Sequence, residues 1–381
     1  MLLVGGSLAV RSFEQLTHVS PGFDPRGVLT FTLSLPSGVY KEDSQVAAFY
    51  CDLVGRLERV PGARSAAAVM IPPVSTSGFS GTFSIDSRPD ATGPDEPRAQ
   101  MRPITPGYFS TLGIPLVRGR VFDDRDDGAA APVALVSETA ARRFWPRENP
   151  VGHRLRMHVS ATGGHQPQPF REIVGVVRDV KHGRLDLPAA PMVYIPHAQH
   201  AASWMALVVR TSLDPASLQA AVADAVRKAD RTLVPLEMQP FEARLAASRA
   251  EQRFRALLLG LFAGEAFVLA TVGLYAVVAY TTSRRRHELG IRLVVGASAD
   301  QIVRLVVRDG MRPVAAGVAI GCVGAAGVSR LMRSMLFGTR PFEPALVAGV
   351  ATVFVVAALV ACYLPARRAT ALDPSRALRS E

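Results

Sequence analysis

The sequence predicts an α+β protein in two parts. A domain of βαβ-type units around a strand-rich insertion is joined to an α-helical membrane domain. Three observations carry that expectation. Continuous apolar sequence is confined almost wholly to residues 256–365, although the whole chain is 49% hydrophobic and 20% charged. Residues 11–255 instead switch repeatedly between period-two and helical-period apolar spacing. The same strand–helix–strand order then occurs near both ends of that stretch.

In order along the chain, residues 28–35 alternate and put Leu29, Phe31, Leu33 and Leu35 on one face of a strand. Residues 44–60 hold Val46, Phe49, Tyr50, Leu53, Leu57 and Val60 at helical spacing and stop at Pro61-Gly62. Residues 64–71 are strand-like again. The second unit runs from a strand at 204–210, through Asp214 as N-cap and a helix at 218–226, to a strand at 234–238. Between the units, strands are expected at 82–86, 99–104, 133–137, 172–177 and 192–195, with short helices at 107–112 and 138–145. The polar, proline-bearing stretches 91–97 and 161–169 are read as loops. From 241 to 257 helical spacing runs on without glycine or proline, which predicts a rigid rod leading into the apolar region.

Three apolar runs, about 257–280, 313–332 and 344–364, are each long enough to cross a hydrocarbon core of ~30 Å. Arginine placement orients them. Arg284, Arg285, Arg286, Arg292, Arg304, Arg308 and Arg312 separate the first two runs, and Arg367, Arg368, Arg376 and Arg379 follow the third. The stretch 284–312, read as a loop, and the C-terminus are therefore expected in the cytoplasm, with residues 11–250 outside. That topology needs an earlier crossing, for which MLLVGGSLAV (residues 1–10) supplies half a helix, so the chain is expected to begin inside its first membrane helix. The expected division is 1–10 as remnant of that helix, 11–250 as extracytoplasmic domain and 251–381 as membrane domain.

Several function classes are disfavoured. The net charge of +11 lacks the aromatic-interleaved basic stripe that stacks bases, so no nucleic-acid partner is expected. Cys51, Cys322 and Cys362 are scattered, as are the histidines, and no metal or cofactor is expected. Ser137, His153 and Asp179 lack any motif context, and no catalytic residue is assigned. With lysine only at 41, 181 and 228, the 381 residues hold no P-loop, so an ATPase is expected in trans.

PGYFSTLGIPLVRGRVF (106–122), VSETAARRFWPRENPVGHRLR (136–156) and EIVGVVRDVKHGRL (172–185), with Pro21-Gly22-Phe23, resemble the MacB-like periplasmic core domain. RRRHELGIRLVVGAS (284–298) and YLPARRATALDPSRALR (363–379) resemble the FtsX-like membrane domain. Together the chain resembles MacB/FtsX-like permeases of ATP-binding-cassette (ABC) systems, of the orphan type found in Acidobacteria. The resemblance implies a multi-pass bacterial inner-membrane protein with a large extracytoplasmic domain. It also implies a separate cytoplasmic ABC ATPase, a dimer of permease subunits or domains, and a coupling helix at residues 288–297.

The residues themselves fit that last role. Glu288 and Arg292 form an i, i+4 pair in the favourable order, Leu289, Ile291 and Leu293 to Val295 give an apolar side, Gly290 permits close approach, and Gly296-Ala297 end the helix. Gly260 with Gly264, and Gly317 with Gly321, are small-residue steps suited to helix packing. Glu265 is an acidic residue inside an apolar run, where it costs a few kcal/mol unless paired or wetted. Two functions are compatible. One is a permease that couples ATP hydrolysis to work on periplasmic or outer-leaflet cargo. The other is a non-transporting mechanotransmission protein that controls a periplasmic partner.

Overall fold

The alternation at residues 28–35 does form a strand, but its neighbours are not the ones nearest in sequence. The computed structural model describes residues 3, 6–7, 10–11, 14, 19–75, 78–86, 88, 96–158, 168–183, 185, 187–285, 288–289, 291–292, 295, 297–331 and 344–370. The expected loop positions 91–95 and 161–167, and Gly290, Leu293, Val294 and Gly296, lie outside the described residues. The chain divides into two compact units, Val19–Ala250 and Met1–His18 with Glu251–Glu381.

In Val19–Ala250 the order is β1 (Val28–Ser34), α1 (Asp43–Glu58), β2 (Ala63–Val69), β3 (Ser80–Ile85), β4 (Arg98–Ile104), α2 (Tyr108–Leu112), β5 (Leu116–Gly119), β6 (Val133–Ser137), α3 (Glu138–Phe144), β7 (Arg154–Met157), β8 (Arg171–Val177), β9 (Met192–Pro196), β10 (Trp204–Thr211), α4 (Gln219–Ala229) and β11 (Leu236–Pro240). β1 pairs antiparallel with both β10 and β11, and β10 pairs antiparallel with β2. The two expected βαβ units are thus interleaved in the order β11–β1–β10–β2, a split βαβ arrangement. Leu29, Phe31 and Leu33 of β1 and Met205, Leu207 and Val209 of β10 meet Tyr50, Leu53 and Leu57 of α1 and Val222 and Val226 of α4 in one core. Each such side chain, fully buried, contributes about 1.5–3 kcal/mol.

The strand-rich insertion closes on itself. Its path β4–β3–β7–β8–β6–β9 is completed by a parallel pairing of β9 back to β4. Alternate residues point inward along five of these strands, Phe83 and Ile85, Ala99 and Met101, Ala134 and Val136, Leu155 and Met157, Val193 and Ile195, while β8, whose register against β6 shifts, contributes Ile173 and Val176. Closure removes the exposed edges that an open insertion of this size would carry. β5 and β7, four residues each, were not expected from the sequence, and β5 is exposed along its length.

Pro21-Gly22-Phe23 locks onto this unit through a backbone contact. Gly22 sits at φ +89°, where a Cβ would stand 2.1 Å from the Asp179 carbonyl oxygen. Beside it Lys181 N–H donates to the Pro21 carbonyl at 2.9 Å, and the Phe23 ring meets Phe241 edge-on at 4.9 Å. Gly22→Ala is expected to lower stability by roughly 2–3 kcal/mol, because left-handed strain and a backbone clash add. Urea unfolding followed by tryptophan fluorescence checks this. An unchanged midpoint refutes it.

The second unit holds α5 (Phe241–Arg284), which begins in the first unit, α6 (Ala299–Leu331) and α7 (Pro344–Thr370). α5 is unbroken over 44 residues. At 1.5 Å per residue that is about 66 Å, more than twice a hydrocarbon core of ~30 Å. Among the described residues, Phe241–Arg284 and Val347–Arg368 are the helices both long and apolar enough to cross a membrane. Of the N-terminal residues, Gly6 lies so close to α5 that a Cβ would stand 3.0 Å from Ala263 Cβ.

The expected 284–312 loop needs correction. α6 starts at Ala299 and carries Pro313 within it, so Arg304, Arg308 and Arg312 lie on a helix. The physical reason is a reciprocal cap. Gln301 N–H donates to Ser298 Oγ at 3.3 Å, and Ser298 N–H donates to Gln301 Oε1 at 3.0 Å. α7 likewise continues through Pro365 and takes in Arg367 and Arg368.

Candidate functional site

The stretch between α5 and α6 is short, continuous with α5 at one end and closed at the other. Arg285 N–H donates to Thr281 O at 3.2 Å and Leu289 N–H to Arg285 O at 2.9 Å, which carries helical bonding past α5. Val295 N–H donates to Ile291 O at 3.0 Å, and Ala297 N–H reaches five residues back to Arg292 O at 2.9 Å. A bond of that span closes a helix C-terminus. Ser298 then caps α6, so the chain turns through an elbow within a few residues.

The elbow has an inner and an outer face. Leu289 is buried, whereas Ile291 is 48% and Val295 80% exposed. Ile291 and Val295, four apart, share one helical face. Arg292 Nη2 donates to Glu288 Oε1 at 2.9 Å, the predicted pair, and both side chains are about half exposed. The sequence expectation of a single apolar side is therefore refined. Leu289 turns inward and Ile291 with Val295 turn outward.

Beneath the elbow a cleft of about 400 Å³ is lined by Arg285, Leu289, Leu305, Asp309, Gly310 and Arg312, among others. Asp309 receives Arg285 Nη1 at 3.3 Å and Arg312 Nη1 at 3.5 Å. A Cβ on Gly310 would stand 2.8 Å from Cys362 Sγ and 3.2 Å from Val278 Cγ2, which marks the closest crossing of α6 with α5 and α7. Nearby, Arg368 Nη1 donates to Tyr275 OH at 2.9 Å, and the Arg284 guanidinium lies 5.1 Å from the Tyr280 ring centroid. One end of this unit thus collects arginines from all three helices. Sequence reasoning missed Asp309, Gly310 and Tyr275. The S-x-x-Q pattern at 298–301, a capping signature before an apolar run, was the one local signal available.

Other residues singled out in the sequence lie elsewhere. Gly260, Gly264, Gly317 and Gly321 have open space where a Cβ would stand, so none serves a close helix crossing within the described chain. Gly317 and Gly321 line an apolar cleft of about 570 Å³ with Phe267, Val314 and Phe354. Glu265 is exposed on α5.

In the first unit Ser137, His153 and Asp179 are engaged separately. Ser137 Oγ accepts from Ala140 N–H and Met192 N–H, Asp179 accepts from Thr139 and Arg142, and His153 lies 3.7 Å from Glu148. Arg102, fully buried, donates to Met101 O and Gln100 Oε1, and burial pushes its pKa down to about 10. Burial also holds Tyr108 and Tyr194 high and His182 low. Among the described residues no group of three or more His, Cys, Asp or Glu is placed to hold a metal.

A split βαβ sheet with a closed strand insertion, followed by long apolar helices with arginines gathered at one end, is the architecture expected of a membrane protein with a large folded domain in its chain. Family profiles make this specific. That of the MacB-like periplasmic core domain matches residues 6–229, and that of the FtsX-like permease C-terminal region matches residues 260–374. The chain belongs to the MacB/FtsX-like permeases of ABC transporters. These are membrane-embedded transporter components that work with ABC ATPase partners.

The chain is 26% identical over 289 residues to the pyoverdine export ATP-binding/permease protein PvdT of Pseudomonas aeruginosa, covering 71% of this chain and 40% of the relative. It is 28% identical over 282 residues to the macrolide export ATP-binding/permease protein MacB of Nitrosomonas europaea, covering 70% and 40%. It therefore spans well under half the length of these curated relatives. The periplasmic region of MacB from Actinobacillus actinomycetemcomitans superposes with a TM-score of 0.39 at 12% identity, over 61% of this chain and 97% of that chain.

Proposed function

We propose that this chain couples a separate cytoplasmic ABC ATPase to movement of its periplasmic core domain, which acts on periplasmic or outer-leaflet cargo. The observation that supports the coupling role best is the elbow at 288–297. It is continuous with the helical bonding of α5, closed by the Ala297-to-Arg292 bond, anchored by buried Leu289, and presents Ile291 and Val295 outward. An exposed apolar pair four residues apart, joined by the Val295-to-Ile291 helical bond, suits helix-in-groove docking. The arginines around it favour a cytoplasmic location for this end of the helices by the positive-inside rule. α5 then supplies a continuous path out of the membrane, with a charged segment from Glu242 to Arg255 followed by apolar sequence from Leu257.

The open glycine steps at 260/264 and 317/321 suit a second permease copy. Exposed Glu265, one residue from Gly264, is better covered by such a copy than left in lipid, where a carboxylate costs a few kcal/mol.

The test is affinity capture of the full chain from membranes, followed by identification of any co-purifying P-loop protein. Ile291→Asp with Val295→Asp is expected to reduce capture of that ATPase at least tenfold, since two apolar anchors are worth about 3 kcal/mol or more when buried. Undiminished capture refutes the docking role. The unbroken α5 equally favours the second reading, mechanotransmission without transport. Stimulation of the captured ATPase by a small-molecule or lipid-linked cargo supports transport, and stimulation by a periplasmic protein alone supports mechanotransmission.

A further inference from the structure

Asp309 ties together the pieces that must move as one. Arg285, the root of the elbow, donates to Asp309 Oδ2, while Arg312, one turn further along α6, donates to Oδ1. The neighbouring residue is immobilised, because at Gly310 the backbone of α6 lies against Cys362 and Val278 with no room for a Cβ. Leu289, one helical turn from Arg285, is buried and lines the same cleft as Asp309. The elbow therefore leans on α6 through a carboxylate fixed at a helix crossing. Without that carboxylate, Arg285 and Arg312 face one another with like charge, and the chain is free to bend where α5 ends.

We infer that Asp309 is a positioning residue for coupling. It holds the elbow against α6, so that a push received at Ile291 and Val295 moves α5 and α6 together, with the Gly310 crossing as fulcrum. The inference rests on the coupling reading and names the residue through which the push is shared.

The experiment uses the full chain in lipid nanodiscs. Hydrogen exchange of the peptide spanning 285–297 is followed by mass spectrometry in wild type, Asp309→Asn and Asp309→Glu. Asp309→Asn keeps the shape and removes the charge. It is expected to speed exchange roughly three- to fivefold in this peptide only, the scale of losing a partly exposed ion-pair network. Asp309→Glu is expected to restore slow exchange. Raising salt to molar levels should move wild type toward the Asn variant, a response that a purely steric role does not give.

In the captured complex, Asp309→Asn is expected to retain the ATPase within twofold but to lose about two-thirds of the permease-dependent ATP hydrolysis. Unchanged exchange in Asp309→Asn overturns the inference. So does equal, salt-independent acceleration in Asn and Glu, or full retention of hydrolysis. If instead Ile291→Asp with Val295→Asp leaves capture intact, the docking reading fails, while the exchange result still decides whether Asp309 pins the elbow.

Discussion

Gly310→Leu is expected to pry α6 away from α5 and α7 and to lower the stability of the helical unit by about 3 kcal/mol. A Cβ alone would already stand 2.8 Å from Cys362 Sγ and 3.2 Å from Val278 Cγ2. Three further carbons cannot be accommodated by turning one cysteine rotamer. Cys362 is fully buried, so it also reports the event. In a Cys51→Ser, Cys322→Ser background, a membrane-permeant maleimide is expected to label Cys362 slowly in the parent and at least tenfold faster in Gly310→Leu. Gly310→Ala should fall between, since the Cys362 side chain can yield a few tenths of an ångström. The four glycines at 260, 264, 317 and 321 provide the contrast. Alanine at each meets nothing within 4 Å and should leave both the melting temperature and Cys362 labelling of the isolated subunit unchanged. A parent-like labelling rate in Gly310→Leu refutes the crossing.

That contrast shows what the sequence disclosed and what it did not. The G-x-x-x-G steps were conspicuous because a spacing can be read from one strand of text. Gly310 was not, because its importance comes from Cys362 and Val278, each many residues away. The same division runs through the fold. The alternation at 28–35 and the helical spacing at 44–60 gave elements whose ends moved by a residue or two. Period two says nothing of which strand lies beside which, and so the interleaving of the two βαβ units was invisible. So was the closure of the insertion through β4 and β9, a pairing of strands some 90 residues apart. At the elbow, the Glu288–Arg292 pair was legible because it is local. Asp309 was missed because 284–312 was taken as one arginine-rich connection, and its partner Arg285 lies 24 residues away. The resemblance to known permeases located the segment, but only the geometry separated inward Leu289 from outward Ile291 and Val295.

Acidification from pH 7 to pH 5 is expected to remove at least about 4 kcal/mol from the folded core domain, the part contributed by His197 and His200. Both are buried, and burial depresses each pKa to about 4. For His200 the nearby Arg171 adds to the depression. His197 Nε2 lies 3.1 Å from the Ala202 backbone nitrogen and 3.2 Å from the Ala202 carbonyl oxygen, edge-on to Tyr50 at 5.3 Å, and it is burial that disfavours its charged form. In the unfolded chain a histidine titrates near 6.5. The folded values lie below the unfolded one, so the unfolded state binds more protons between about pH 6.5 and 4. Stability is complete above that window and is lost as pH falls through it, by about 2 kcal/mol per histidine at pH 5. His182, also held low by burial, acts in the same direction. Asp24 and Asp123, held low chiefly by Arg26 and Arg125, contribute only below the window, where unfolded carboxylates begin to protonate. Trp145 and Trp204 are the only tryptophans and both lie in Val19–Ala250, so fluorescence during urea titration of the full chain follows this unit selectively. His200→Gln should reduce the loss between pH 7 and 5 by about 2 kcal/mol, whatever it does to the stability at pH 7 itself. A urea midpoint that stays flat over that interval in the parent chain would show that these two rings are not held neutral by the fold.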